Sequence, residues 1–147
     1  MGERTDQTER SQIYDVSVQD MFATIIDYET YPKFLDGVDD IKVLENTADG
    51  ARVEYQLDVV KRFAYVIKLH HEAPNRVWWE LETGDLFRVN SGEWKLEDLG
   101  NGKTKVTYGL SLEFKLMVPK MILSSLIGFN LPSMMDAMAD EAKKRKK

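Results

Sequence analysis

The chain has 147 residues, of which 43% are apolar and 31% charged, and it contains no cysteine. A chain of this length folds as one domain and buries roughly two-thirds of its unfolded surface. The apolar fraction excludes an intrinsically disordered chain, and the lack of cysteine excludes disulfides, thiolate zinc sites and cysteine nucleophiles. We predict a disordered leader over residues 1–10, a single domain over 11–142 and a basic tail over 143–147.

Charge is distributed unevenly along the chain. It has 20 basic and 25 acidic residues, and the last five residues are all basic. The body, residues 1–142, therefore has 15 basic and 25 acidic residues. A body of this sign repels phosphate backbones, and nucleic acid is therefore not an expected partner. The longest uncharged apolar stretch, 121–135, is 15 residues long, shorter than the ~20 residues of a membrane span. We predict a cytoplasmic protein, with peripheral contact to a membrane left open.

The first 35 residues predict a strand followed by a helix. A short apolar run over 13–18 is typical of a strand. Ser17 and Asp20 then have the spacing of a capping box, and the apolar residues that follow fall on one helical face. The residue before a proline avoids the helical region, so Tyr31-Pro32 is expected to end this helix.

From residue 41 the apolar period changes from 3.6 to 2, which predicts six strands joined largely as hairpins. The predicted strands cover residues 41–45, 53–59, 63–69, 77–81, 87–96 and 106–116. A change of parity beside Gly92 predicts a β-bulge there. Gly100-Asn101-Gly102 predicts a hairpin turn, because these residues tolerate positive φ.

A long C-terminal helix is predicted from Pro119 onward, with Pro132 kinking it or splitting it in two. Its apolar stripe includes Met134 and Met138. Hairpin-connected strands form an antiparallel sheet, so the fold class is α+β, with a curved sheet wrapped around the C-terminal helix. Such a sheet leaves space for an internal apolar cavity beneath the helix.

Inward parity and the helix stripe select the candidate ligand-binding residues of this cavity. Large aromatic side chains in an antiparallel sheet are also ordinary core, and that alternative stays open for each of them. The candidate lining is Tyr55, Leu57, Tyr65, Ile67, Trp79, Trp94, Tyr108, Leu110, Leu123, Ile127, Asn130 and Met134.

Motifs for catalysis or metal binding are weak. His70 and His71 are the only histidines, and adjacent strand residues point to opposite faces, so they cannot chelate one metal together. A surface or strand-end position is the favoured interpretation of both. No serine elbow or nucleotide-binding glycine motif is present, and we predict no metal and no cofactor.

The basic tail has two interpretations. Cations at a helix C-terminus complement the helix dipole and keep the end soluble. Five in a row also suit transient contact with anionic lipid headgroups. The residues concerned are Lys143, Lys144, Arg145, Lys146 and Lys147.

Several segments resemble a known family. Residues 14–35, including Asp27 and Tyr31-Pro32, together with 41–44, resemble the opening of the polyketide cyclase/dehydrase and lipid-transport family. Residues 92–96 and 102–106 resemble its Gly-x-Trp strand and Gly-x-Thr-x-Val hairpin. That family belongs to the START-like, helix-grip (SRPBCC) superfamily, which includes coenzyme Q-binding proteins. The resemblance implies a fold that binds lipids, quinones, sterols or polyketides under the C-terminal helix; no catalytic residue carries over.

Three functions follow as hypotheses. The first is a non-enzymatic binder or carrier of an apolar small molecule. The second is a cyclase or dehydrase, in which inward polar groups orient a polyketide and move protons. The third is a protein-interaction module. The polar candidates for the second hypothesis are His70, His71, Arg88, Asn90 and Asn130.

Overall fold

A computed structural model describes residues 5–35, 40–58, 62–84, 86–115 and 131–145. The helices are α1 (Val18–Ile25), a 3₁₀ helix (Tyr28–Thr30), α2 (Tyr31–Phe34) and α3 (Leu131–Arg145). The strands are β1 (Thr5–Tyr14), β2 (Asp40–Asn46), β3 (Gly50–Asp58), β4 (Arg62–Glu72), β5 (Arg76–Gly84), β6 (Phe87–Gly100) and β7 (Lys103–Phe114).

Within the described residues, seven strands form one antiparallel sheet in the order β1-β7-β6-β5-β4-β3-β2. Consecutive strands from β2 to β7 are neighbours, as their hairpin connections require, and β1 adds to the β7 edge. One face of the sheet packs against α1 and α3, which also contact each other. The predicted α+β class with a curved sheet and a C-terminal helix is confirmed.

Strand β1 corrects the predicted N-terminus. It begins at Thr5 and pairs with β7 from Thr5↔Glu113 to Tyr14↔Thr104, so the prediction of a disordered leader is wrong for residues 5–10. The predicted first strand over 13–18 is also misplaced, because β1 begins at Thr5 and ends at Tyr14. An edge strand gains its hydrogen bonds from its neighbour and can remain polar, so an apolar pattern does not reveal it.

The segment around Tyr31-Pro32 is also different from the prediction. Helix α1 is capped by Ser17, whose Oγ accepts from the Asp20 backbone N–H at 3.1 Å, and it already ends at Ile25. Tyr31 has helical dihedrals (φ −51°, ψ −46°) and starts α2, with Pro32 in the first turn. A proline in the first turn removes no helical hydrogen bond, so it starts a helix here instead of ending one.

The bulge lies away from its predicted position. The β6–β7 register is continuous through Gly92 and shifts between Phe87 and Val89. The parity change therefore occurs at residue 88, and Asn90 joins Trp94 and Leu96 on the buried face. The hairpin turn is confirmed, since Gly100, Asn101 and Gly102 all have positive φ.

Helix α3 closes one end of the sheet. Its buried residues are Met135, Met138, Ala139 and Ala142. Tyr14 donates a hydrogen bond to Asp136 at 2.7 Å, and Arg145 contacts Asp27 at 2.9 Å, which fixes α3 to β1 and to the residue before the 3₁₀ helix. Pro132 lies in the first turn of the described helix; the predicted start at Pro119 lies outside the described residues.

Candidate functional site on the concave face

Two apolar clusters occupy the face of the sheet that α1 and α3 cover, which we call the concave face. The larger cluster joins both helices to the sheet through side chains such as Ile25, Met138 and Val53. The smaller cluster consists of Leu86, Phe87, Leu112 and Phe114. Tyr65 and Leu110 pack against both clusters and are only half-buried. They mark the junction between the two clusters.

Three tyrosines converge at this junction from separate strands. Tyr55 on β3 stacks on Tyr65 of β4, with ring centroids 5.4 Å apart, and Tyr108 projects from β7 onto the same face. Burial raises the pKa of all three phenols, and the nearby phenol of Tyr65 raises those of Tyr55 and Tyr108 further. Each ring nevertheless keeps some accessible surface. This combination is typical of side chains that line a concavity.

The hydroxyl groups of these tyrosines differ from those of Tyr14, Tyr28 and Tyr31, which are hydrogen-bonded within the fold. Within the described part of the chain, none of the three phenol oxygens has a hydrogen-bond partner. No buried side-chain polar atom among the described residues is left unpaired, so the phenol oxygens are accessible rather than sealed in the core. Tyr55, Tyr65 and Tyr108 therefore present hydrogen-bond donors on an otherwise apolar surface.

An indole and an amide extend this surface along β5 and β6. Trp79 donates from Nε1 to Oδ1 of the buried Asn90 at 3.3 Å, and Trp94 packs edge-on against Tyr108 at 4.7 Å. Gly92 makes room for Trp79, because a Cβ on Gly92 would lie 2.7 Å from Cη2 of the indole. The sequence suggested Asn90 as an inward polar group for acid–base chemistry; its inward position is confirmed, and its hydrogen bond to Trp79 was not predicted.

The predicted lining divides into three groups. Ile67, Trp79 and Trp94 are buried, and Tyr55, Tyr65, Tyr108, Leu110 and Met134 are half-buried against the clusters. Leu123, Ile127 and Asn130 lie outside the described residues, as does the side chain of Leu57. The structure thus brings the strand residues to one face, and the lining of a cavity by the full set stays a prediction.

The two histidines lie on opposite faces, as predicted, but His71 is buried rather than at the surface. Its Nδ1 lies 3.1 Å from the Thr47 carbonyl, which can only accept, so Nδ1 donates and Nε2 accepts from the Tyr28 hydroxyl at 2.8 Å. Burial lowers the pKa of His71. His70 lies on the other face, 2.8 Å from Glu80 and stacked on Trp78. Both ring nitrogens of His71 and Nε2 of His70 are thus engaged by groups other than Tyr55, Tyr65 and Tyr108.

Among the described residues, no three His, Asp or Glu side chains are grouped to hold a metal ion. No helix in the described ranges has the length and apolar character needed to cross a membrane.

Structural comparison places these features in a known class, the START-like helix-grip fold. An aromatase/cyclase (Zhui) from a Streptomyces species superposes with a TM-score of 0.81 at 14% identity, over 97% of this chain and 96% of that one. A START superfamily protein from Mycobacterium smegmatis gives 0.76 at 17% identity, over 95% and 99%. Norcoclaurine synthase from Thalictrum flavum, in complex with dopamine and hydroxybenzaldehyde, gives 0.71 at 13% identity, over 99% and 91%.

The family profile described as polyketide cyclase / dehydrase and lipid transport matches residues 14–139. The chain belongs to this family. Comparison with curated proteins finds no match. The coenzyme Q-binding subgroup, which the sequence resemblance included, stays a prediction.

Proposed function

We propose that the concave face binds an apolar, flat-ring small molecule that carries hydrogen-bond acceptors. One observation carries the proposal: the hydroxyl groups of Tyr55, Tyr65 and Tyr108 are accessible and have no partner among the described residues, and the rings lie on an apolar surface. Lipids, quinones, sterols and polyketides are the ligand classes that the family resemblance implied, and a family described by polyketide and lipid chemistry supports them.

The chemistry of the three phenols selects among these ligands. Because their pKa values are raised, the phenols stay protonated and act as donors near neutral pH. A ligand that entered without acceptors would strip water from these donors and leave them unpaired, at a cost of about 1–3 kcal/mol each. A quinone or polyketide carbonyl pairs with them, and its rings pack against aromatic side chains.

The cyclase or dehydrase hypothesis is the alternative. It gains support from the likeness to an aromatase/cyclase and to norcoclaurine synthase, although at 14% and 13% identity that likeness concerns the fold. Acid–base catalysis needs a group that exchanges protons near the working pH. His71 has both ring nitrogens engaged, and His70 and Arg88 lie away from the tyrosines. These contacts favour binding over proton transfer.

The test compares two matched probes, anthraquinone-2-sulfonate and anthracene-2-sulfonate, which share a ring system and differ in the two carbonyl oxygens. We expect the triple variant Tyr55→Phe/Tyr65→Phe/Tyr108→Phe to weaken binding of the quinone about tenfold, as loss of about 1.4 kcal/mol of hydrogen bonding would. Binding of the anthracene should instead tighten, because the variant has no hydroxyls that its rings would leave unpaired. Tyr14→Phe is the control, because it removes a phenol bonded to Asp136 instead.

A second experiment blocks the proposed site sterically. Leu110→Trp fills the junction between the clusters and should abolish binding of both probes, whereas Leu99→Trp adds the same ring at an exposed site. Failure of the wild-type protein to bind either probe, or equal effects of the two tryptophans, would contradict the proposal. Absence of any small-molecule binding would favour the protein-interaction module.

A carrier of such a ligand has to meet a membrane or a protein donor, and the basic tail is our candidate for transient contact with anionic lipid. Among its described residues, Lys143 and Lys144 are exposed, but Arg145 contacts Asp27 and is not available to headgroups. The proposed contact therefore uses four lysines and leaves Arg145 to the fold. A cytoplasmic location accompanies this proposal.

A further inference from the structure

Asn90 projects from β6 onto the concave face, where the two apolar clusters adjoin. The residue is only 6% exposed. It lies beside Trp79 of the larger cluster, and it pairs on β7 with Leu112 of the smaller one. Polar side chains at this depth normally have their hydrogen-bonding atoms paired. The partners of the Asn90 amide therefore decide what it does at this position.

Trp79 fixes the orientation of the Asn90 amide. An indole N–H can only donate, so the amide atom 3.3 Å from Nε1 is the acceptor Oδ1. The flipped amide would place its NH₂ group against the indole N–H, with two donors facing each other. Because Trp79 is itself 7% exposed and packed into the larger cluster, the core holds this orientation. The NH₂ group of Asn90 therefore points away from the indole.

The Nδ2 atom of Asn90 has no hydrogen-bond partner among the described residues. No buried side-chain nitrogen or oxygen in these ranges is left unpaired, so Nδ2 keeps some accessible surface although the residue as a whole is buried. Asn75 is different, because its Nδ2 donates to the Leu96 carbonyl at 3.1 Å. Asn90 thus combines a fixed, buried amide with two N–H donors that the fold does not use.

Trp79 also links Asn90 to the tyrosines of the proposed site. The ring centroids of Trp79 and Tyr108 are 5.7 Å apart. On β7, Leu112 lies opposite Asn90 and two residues beyond Leu110, which packs against both clusters. The amide and the tyrosine rings therefore belong to one apolar surface and reach it from different strands.

The amide and the phenols differ in what they recognise. A phenol hydroxyl both donates and accepts, so it pairs with either kind of ligand group. Asn90 offers only donors, because its Oδ1 is occupied by Trp79. A ligand group that cannot accept would displace water from Nδ2 and leave the amide unpaired, which destabilises the complex.

We propose that Asn90 is a specificity-determining residue of the site, whose Nδ2 selects ligands with a carbonyl oxygen at the edge that lies against β6. The inference rests on the proposed binding function and adds the group that distinguishes acceptors from donors on the ligand. A flat-ring molecule with carbonyls at two edges pairs with a phenol at one edge and with Asn90 at the other. The same rings without oxygen leave the amide unpaired.

Affinities for anthraquinone-2-sulfonate and anthracene-2-sulfonate test this role. Asn90→Leu keeps the size of the side chain and removes both donors. We expect it to weaken quinone binding about fivefold, as loss of one hydrogen bond would. It should tighten anthracene binding about fivefold, because the hydrocarbon no longer covers an unpaired donor. A residue that only shapes the fold would move both affinities in the same direction. Asn75→Leu is the matched control and should leave both affinities unchanged.

A measurement on the wild-type protein does not depend on the folding of a variant. In ¹H–¹⁵N NMR spectra, we expect the side-chain NH₂ signal of Asn90 to lie further downfield in the quinone complex than in the anthracene complex, because only the quinone accepts from it. The NH₂ signal of Asn75 should be the same in both complexes, since its partner is the Leu96 carbonyl.

The outcomes separate this role from the proposed function. If the wild type binds the quinone but the Asn90 signal is the same in both complexes, or Asn90→Leu moves both affinities alike, the role of Asn90 is wrong and the proposed function stands. If the wild type binds neither probe, the proposed function fails and the role of Asn90 fails with it.

Discussion

The two halves of the concave face differ in how completely their side chains are buried. Under α1 and α3 the face is filled, and side chains such as Ile25, Val53 and Met138 have no accessible surface. Around Tyr65 and Leu110 the same face is half-exposed and ends at a separate small cluster. The filled half supplies the core that stabilises the fold, which leaves the tyrosine half free to carry groups that contribute little to stability.

Polar groups show the same contrast. In the filled half, Thr104 donates to the Val16 carbonyl at 2.7 Å, Tyr31 donates to the Ile25 carbonyl, and Tyr28 pairs with His71. In the tyrosine half, the hydroxyls of Tyr55, Tyr65 and Tyr108 have no partner among the described residues. Polar side chains of the filled half are paired within the fold, and the three phenols without such partners are the groups to which we assign the proposed binding.

Two methionines of α3 test how strongly complete burial contributes to stability. Met138 has no accessible surface, whereas Met134, one turn earlier, is half-buried. We expect Met138→Ala to lower the free energy of unfolding by about 3 kcal/mol and Met134→Ala by less than about 1 kcal/mol, because only the first leaves a closed cavity. Urea unfolding measures both. Equal losses would mean that the half-buried Met134 is packed as tightly as the fully buried Met138.

The pH dependence of stability probes the paired polar groups. Burial lowers the pKa of His71 below its ordinary value of 6.5, although hydrogen bonds with the backbone of Thr47 and Ala48 and the charge of Asp49 act in the opposite direction. Below pH 6.5 the unfolded chain takes up a proton that folded His71 resists. Stability should therefore be full above pH 6.5 and fall as the pH drops toward the folded pKa, by at most ~1.4 kcal/mol per pH unit.

Unfolding midpoints between pH 5 and 8 measure this loss. His71→Gln should flatten the curve, while His70→Gln, the adjacent imidazole on the opposite face, should retain the dependence that His71 causes. A wild-type curve that His71→Gln leaves unchanged would show that this imidazole does not couple folding to protons.

The smallest expected effect concerns the end of α3. There Arg145 forms an ion pair with Asp27, whereas Lys143 and Lys144 are exposed. Changing Lys143, Lys144, Lys146 and Lys147 to Gln should leave the unfolding midpoint unchanged but weaken co-sedimentation with anionic vesicles at low salt. Arg145→Gln should cost up to about 1 kcal/mol of stability and leave sedimentation alone, since its ion pair is partly exposed. If all variants sediment equally with the vesicles, the tail does not contact lipid and only keeps the end of the helix soluble.

The sequence alone determined the features that depend on neighbouring residues. Alternating apolar residues located β2 to β7, because a strand with one buried face must alternate. Ser17 identified the start of α1, and Gly100-Asn101-Gly102 identified a turn with positive φ. Because His70 and His71 are adjacent on β4, the sequence also placed them on opposite faces of the sheet. Each of these inferences needs only local geometry.

Tertiary structure decided what depends on distant partners. β1 is a strand because β7 offers it hydrogen bonds, and its polar residues carry no sign of that pairing. Asn90 points inward because the register shifts at residue 88 and not at Gly92. Tyr55 and Tyr65 stack across the β3–β4 hairpin, and Tyr108 comes near them because the curved sheet brings β7 toward β4, although β5 and β6 lie between these two strands. The alternation of the sequence predicted which face these tyrosines share, but only the packing around them decided that their hydroxyls have no partner among the described residues.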